Sequence, residues 1–240
     1  MNLNLNNATY FATPWPHVVI EDFIDDASIV DQLANNSELA TAITSHSLLP
    51  GQRAEVGAAD IVKNNLPSSI ADVLNLIDSS PELAELLHNQ FAAALTAEYT
   101  TMSADNFKTF TKRKSTYGCY NYTPSQTPLK GLHLDNGKKI YSGMIYFRED
   151  SDTTAGSELL LWDESQSLEK VIPYKKNLAI FWPNLTNTWH SVSDRMPSAD
   201  NLRRYINVLI EGDTKLHDYK TDKDSNGDHD YHFKVVNRYV

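Results

Sequence analysis

The chain has 240 residues, enough for one large domain, with a net charge of −10 from 21 basic and 31 acidic side chains and a single cysteine, Cys119. The acidic balance argues against a polyanion partner such as nucleic acid, because that affinity rests on Lys and Arg neutralising phosphates, although a local pocket can still take a small anion. One cysteine excludes an internal disulfide framework and fits a reducing cytoplasm. No apolar run approaches membrane-spanning length, and MNLNLNNATY lacks the basic start and apolar stretch of a signal peptide.

Taken in chain order, HVVIEDF at 17–23 is short and β-branched, which predicts a strand. The DDAS after it can start a helix through Ile29, Val30 and Leu33. A second helix is expected over 68–77. The clearest helix is SSPELAELLHNQFAAALTAEY, where Ser79 and Glu82 have capping-box spacing and Pro81 fits the first turn. Its Leu83, Leu86, Leu87, Phe91, Ala94 and Leu95 form one apolar stripe.

Beyond about Asp105 the pattern changes. The runs STYGCYNY, GLHLD, KKIYSGMIYF, SELLLW, KVIPY, NLAIFW, WHSVS and RRYINVLIEG alternate with turn residues. Short β-rich runs with no helix between them predict an antiparallel sandwich or barrel with the earlier helices packed outside, an α+β class that is mainly β. A single domain over 1–240 is expected, with a helical part at about 1–104, a β core at about 105–212 and an extension at about 213–240. In that extension DKDSNGDHDYHF places acidic residues like the start of a Ca²⁺ loop over 222–230. Phe233 stands where the bidentate Glu belongs, so a polar turn is expected instead.

The chemistry centres on GLHLDNG, the only His-x-Asp of the chain. In a strand, residues two apart share a face, so His133 and Asp135 can hold one ion together while Leu132 and Leu134 anchor the opposite side; Asn136 and Gly137 then form the turn. Two ligands bind weakly, and His190 in NTWHSVSD is the best third. Two imidazoles and one carboxylate are the facial triad of non-haem iron oxygenases, which leaves positions open for a co-substrate and oxygen. In RRYINVLIEG, alternation puts Arg204 with Ile206, Val208 and Ile210. A charge on an otherwise apolar face calls for an anionic partner, either a ligand carboxylate or an internal Asp or Glu. Arg203, on the other face, reads as solvated surface.

The order His-x-Asp, a strand ending IYF, GSELLLW, NLAIFWPN, a lone His and then Arg-Tyr resembles the Fe(II)/2-oxoglutarate-dependent oxygenases, most closely the prolyl 4-hydroxylase-like branch. PHVVIEDFIDDASI is also similar to the way that family often begins. The resemblance spans about 16–211. It implies a double-stranded β-helix, or jelly roll, with N-terminal helices packed on the major sheet. It implies Fe(II) held by His133, Asp135 and His190, with 2-oxoglutarate and O₂ as co-substrates. By the same resemblance Arg204 would pair with the distal carboxylate of 2-oxoglutarate, Tyr146 would lie near that carboxylate, and Tyr122 would line the pocket. Trp162 and Trp182 are expected to pack the core. Two departures from the pattern are Gly156-Ser157-Glu158 in place of a Gly-Gly-Glu step and the long insert SVSDRMPSADNLR after His190.

The implied activity is a dioxygenase, a hydroxylase of peptidyl proline or a similar protein side chain, releasing succinate and CO₂. A free amino acid or other small molecule is the alternative substrate, and a non-catalytic jelly-roll binding module is the alternative from another class. The implied partner is therefore a protein, peptide or small-molecule substrate, with no nucleic acid and no membrane. The loops over 120–132 and 148–157 are candidate substrate lids.

Overall fold

The computed structural model describes residues 1–44, 54–120, 132–193, 195 and 202–217. The first strands are β1 (Ala8–Phe11) and β2 (His17–Ile20), paired antiparallel. β2 stops short of the expected 23 because the chain turns at Asp22, whose φ is 50°. Helix α1 (Ala27–Asn35) starts where expected, with the Asp26 carboxylate accepting from the N–H groups of Ser28 and Ile29. Then come α2 (Ser37–Thr44), β3 (Ala54–Val56), α3 (Ala58–Lys63), α4 (Ser68–Ser79) and α5 (Pro81–Glu98). The cap of α5 is Ser80, not Ser79, which still belongs to α4; Ser80 Oγ accepts from the Leu83 N–H. The apolar stripe of α5 is buried through Leu83, Leu87, Phe91 and Leu95.

The β core follows as β4 (Phe110–Tyr120), β5 (Lys139–Tyr146), β6 (Leu159–Trp162), β7 (Leu168–Ile172), β8 (Leu178–Pro183), β9 (His190–Val192) and β10 (Arg203–Gly212). Among the described residues these strands form two antiparallel sheets. The major sheet has the order β1-β2-β8-β5-β10-β4-β3 and the minor sheet β7-β6-β9. The described part of GLHLD is not a strand. It contributes one bridge, in which His133 and His190 exchange both backbone hydrogen bonds at 3.0 and 3.1 Å.

The major sheet is covered on both sides. Its outer face carries Tyr117, Cys119, Ile145, Phe147, Phe181, Ile206 and Val208 and packs in one apolar cluster with the helical Leu33, Leu74, Leu87 and Phe91. Gly143 is required on that face, because a Cβ there would stand 2.3 Å from the Phe181 ring, its cross-strand partner. The inner face carries Met144, Tyr146, Ile180, Trp182 and Tyr205 and meets Leu159, Leu161 and Ile172 of the minor sheet. Trp15 stitches the sheets together, its indole N–H donating to the Trp162 carbonyl at 3.1 Å. No helix among the described residues is long and apolar enough to cross a membrane. The 222–230 segment lies outside the described residues.

Candidate metal centre

Three donors meet at the end of the sandwich. The backbone bridge makes His133 and His190 direct cross-strand neighbours, and residues opposite one another in an antiparallel pair project to the same side. Their rings lie 4.3 Å apart between centroids. Asp135 follows His133 by two residues, and its Oδ2 is 3.9 Å from His190 Nε2. One donor atom from each of the three lies within 4.8 Å of the others, and both Asp135 and His190 are buried.

His190 is held in one orientation. Its Nδ1 lies 2.9 Å from the Thr188 carbonyl, which can only accept, so Nδ1 carries the proton and Nε2 is left as the lone-pair donor toward the site. Trp182 packs edge-on against the same ring at 5.0 Å. On its other side Asp135 accepts through Oδ1 from Lys139 Nζ at 2.5 Å. Two neutral imidazoles and one carboxylate suit a divalent transition ion, so the donor set fits Fe(II).

The inner face beyond these donors is polar in a way a sealed core is not. Ser142 and Trp182 are cross-strand partners of β5 and β8, each only 3% exposed. Among the described residues, neither Ser142 Oγ nor Trp182 Nε1 finds a hydrogen-bond partner. Buried donors are normally satisfied, so a pair left open on a wall beside three metal-ligand side chains fits a site that takes an oxygen-rich ligand.

Further along the same face lies Arg203. Its guanidinium carbon sits 5.2 Å from the Tyr146 ring centroid and 5.1 Å from that of Tyr205, and its Nε donates to the Ser157 carbonyl at 3.3 Å. Gly118 leaves room for Tyr205, since a Cβ there would fall 2.8 Å from the phenol oxygen. Ser157, at φ 80°, also meets Arg195, whose Nη1 is 3.3 Å from Ser157 Oγ. Arg195 in turn pairs with Asp152 at 2.7 Å, both side chains nearly inaccessible. The two departures noted in the sequence, Ser157 and the insert carrying Arg195, therefore contact each other behind Arg203. Tyr174 lies against both arginines, at 5.7 and 5.9 Å, and burial pushes its phenol up to about 12.

Arg204 points the other way. It shares the helix-covered face with Ile206 and Val208, donating to the Asn36 carbonyl at 2.9 Å and to Glu149 at 3.2 Å. Of the two partners expected for Arg204, the structure shows the internal one, Glu149, while Arg203 is not solvated as expected but 2% exposed and on the inner face with Tyr146. The alternation itself was read correctly. A central strand is covered on both sides, and parity separates two faces without saying which one holds a ligand. Tyr122 lies outside the described residues, as does most of the 120–132 loop. Trp162 packs as expected, its N–H donating to Ser191 Oγ at 2.9 Å. Lys139, Ser142, Thr188 and Arg195 carry no expectation from the sequence, and Arg203 carries only that of a solvated surface. For Arg203, the signal was the two adjacent arginines at the start of a strand otherwise rich in apolar residues.

No protein-family model matches the sequence, and no curated protein does. Solved structures do. A prolyl-4-hydroxylase of Pseudomonas putida is similar at 12% identity over 88% of this chain and 92% of its own, with a TM-score of 0.50. A prolyl hydroxylase of Trichoplax adhaerens, solved with a hypoxia-inducible-factor peptide fragment, is similar at 13% identity over 83% and 85%, with a TM-score of 0.57. At these identities the likeness is one of architecture. With its helix-backed major sheet and facing minor sheet, the chain shares the double-stranded β-helix fold of these two prolyl hydroxylases.

Proposed function

We propose that the protein is an Fe(II)- and 2-oxoglutarate-dependent dioxygenase, a hydroxylase of peptidyl proline or a similar protein side chain. The observation that carries this reading is the shared inner face. His133, Asp135 and His190 converge at one end of it, and the buried Arg203 lies further along with Tyr146. Ser142 and Tyr146, which mark the two levels on β5, are four residues or about 13 Å apart. A long arginine reaching inward and a short dicarboxylate can close that distance between them.

His133, Asp135 and His190 would hold Fe(II), and Arg203 would take the far carboxylate of 2-oxoglutarate by a bidentate, charge-assisted pair. When bound, the metal and co-substrate supply oxygen activation coupled to loss of CO₂ and formation of succinate. The chain's own contribution is placement. Thr188 keeps the His190 proton on Nδ1, the Trp182 and Ser142 groups offer donors to ligand oxygens, and the aromatic wall of Tyr146, Tyr174 and Tyr205 excludes water from the Arg203 end. The peptide reading is supported by the similarity to a prolyl hydroxylase solved with a peptide, since fold alone does not fix a substrate.

Two measurements test this. Anaerobic addition of Fe(II) and 2-oxoglutarate is expected to give a metal-to-ligand charge-transfer band, and its absence sinks the oxygenase reading in favour of a binding module. Succinate release across Pro-containing peptides and free amino acids is expected to be stimulated by a peptide. Stimulation by a free amino acid alone would move the substrate to the small-molecule class.

A further inference from the structure

We propose that Lys139 is a positioning residue for the metal centre, holding one oxygen of Asp135 so that the carboxylate meets the ion through the other. The inference rests on the reading of His133, Asp135 and His190 as a metal triad. It adds a residue outside the triad and a reason for the coordination positions that remain open.

The two carboxylate oxygens of Asp135 face different neighbours. Oδ1 accepts from Lys139 Nζ at 2.5 Å, while Oδ2 lies toward His190, 3.9 Å from Nε2. The pair is not a surface ion pair of the kind that contributes little, because the Asp135 side chain is 4% exposed and that of Lys139 15%. The spacing between them is also fixed. Lys139 opens β5 and its N–H donates to the Asn136 carbonyl at 3.0 Å. The fully buried Asn184 donates from one Nδ2 to the carbonyls of both Asn136, at 2.8 Å, and Lys139, at 3.0 Å. Asn184 thereby clamps the turn whose two ends carry the carboxylate and the ammonium.

Counting positions shows what this arrangement achieves. A six-coordinate ion that must accept two oxygens of a keto acid and one oxygen molecule can give the protein only three places. Two imidazoles use two of them. A carboxylate that swung both oxygens onto the ion would take the third and a fourth, closing a position the reaction needs. A lysine suits the task of preventing this, because its ammonium is a compact point charge that engages one oxygen. An arginine fork would bid for both. Groups that hold metal ligands in this way typically contribute tenfold to a hundredfold in metal affinity.

The test is Mn(II) binding followed by electron paramagnetic resonance on the full chain, with thermal melting of each variant as the folding control. Lys139→Met keeps the aliphatic stem and is expected to weaken Mn(II) binding by about tenfold to a hundredfold. Lys139→Cys should weaken it similarly, and alkylation with 2-bromoethylamine, which rebuilds the side chain with sulfur replacing one methylene, should restore it to within about threefold of wild type. That labelling is selective because burial pushes the only native thiol, Cys119, up to about 12. In an Asp135→Ala background, Lys139→Met should add no further loss, as expected for a residue that acts through the carboxylate. Unchanged or tighter Mn(II) binding by Lys139→Met, or no recovery on alkylation, overturns the inference while leaving the triad intact. A wild-type chain that binds no Mn(II) overturns both.

Discussion

The two faces of the major sheet are both covered but are built for different ends. On the outer face, Ile145, Phe147, Phe181, Ile206 and Val208 press against helical Leu and Phe side chains, and the charges there are matched, Arg204 by Glu149 and the Asn36 carbonyl and Arg113 by the carbonyls of Ile77 and Ser80. On the inner face, arginine, serine, histidine and tryptophan sit among aromatic rings, and the donors of Ser142 and Trp182 have no partner among the described residues. A face of apolar side chains and paired charges contributes stability alone. A face with open donors is less stable than it could be, and that is the usual signature of a surface kept for a ligand.

The adjacent arginines of β10 provide the hardest test of this division. Replacing Arg203 with Met should weaken 2-oxoglutarate by 2–5 kcal/mol, about thirtyfold to a few thousandfold, as for truncating one side of a buried charge pair. Replacing Arg204 with Met should leave that affinity alone and lower stability by about 1–3 kcal/mol, because Glu149 loses its charged partner and the Asn36 carbonyl keeps only the Ala40 N–H. Titration of the charge-transfer band with 2-oxoglutarate, run beside thermal melting, separates the two. Equal effects of the two substitutions on ligand affinity would show that the faces do not differ as described.

A second break in the comparison is set by pH. His17 is fully buried beside Trp15, with Nδ1 on the Trp15 carbonyl at 2.8 Å and Nε2 without a partner among the described residues. Burial lowers its pKa to about 4 from an ordinary 6.5, with Lys170 adding to the shift. Between those values the unfolded chain binds a proton that the folded chain does not. Stability is therefore expected to fall as pH drops from about 6.5 to about 4, by about 3 kcal/mol once the window is crossed. Urea unfolding of wild type and His17→Gln across that range checks this. The variant should lose most of the His17 contribution to the acid dependence, and identical slopes would remove His17 as its source.

Much of this was legible in the sequence, for physical reasons that also mark its limits. The apolar stripe of α5 and the β-branched runs of β5, β8 and β10 announced themselves because each must bury a continuous face. His133, Asp135 and His190 could be grouped by strand alternation and order. The bridge that unites them is a two-residue contact, not a strand, and pattern alone does not show it. The three-residue β3 and the helices α2 and α3 were missed because they are short and held by packing against β4 and α4. The expectation of a solvated Arg203 failed for a different reason. When both faces of a strand are covered, a sequence shows which residues travel together but not what covers each face.

The finest test of the inner face compares single N–H groups on two tryptophans, Trp162 of the minor sheet and Trp182 of the major one. Trp162 donates to Ser191 Oγ at 2.9 Å, a bond wholly within the protein. The Trp182 N–H is buried with no such partner among the described residues, on a ring that packs at 5.0 Å from His190 and 6.3 Å from Trp15. Phenylalanine at either position keeps an aromatic ring and removes the donor. Trp162→Phe should therefore lower stability by about 0.5–1.5 kcal/mol and leave ligand binding unchanged. Trp182→Phe loses no hydrogen bond to the described residues, so its melting temperature should move less. Its affinity for 2-oxoglutarate should fall by about twofold to twelvefold, the same energy now read in the complex. If both substitutions change stability alone, the open donor at Trp182 is a packing defect and the inner face is less specialised than its composition suggests.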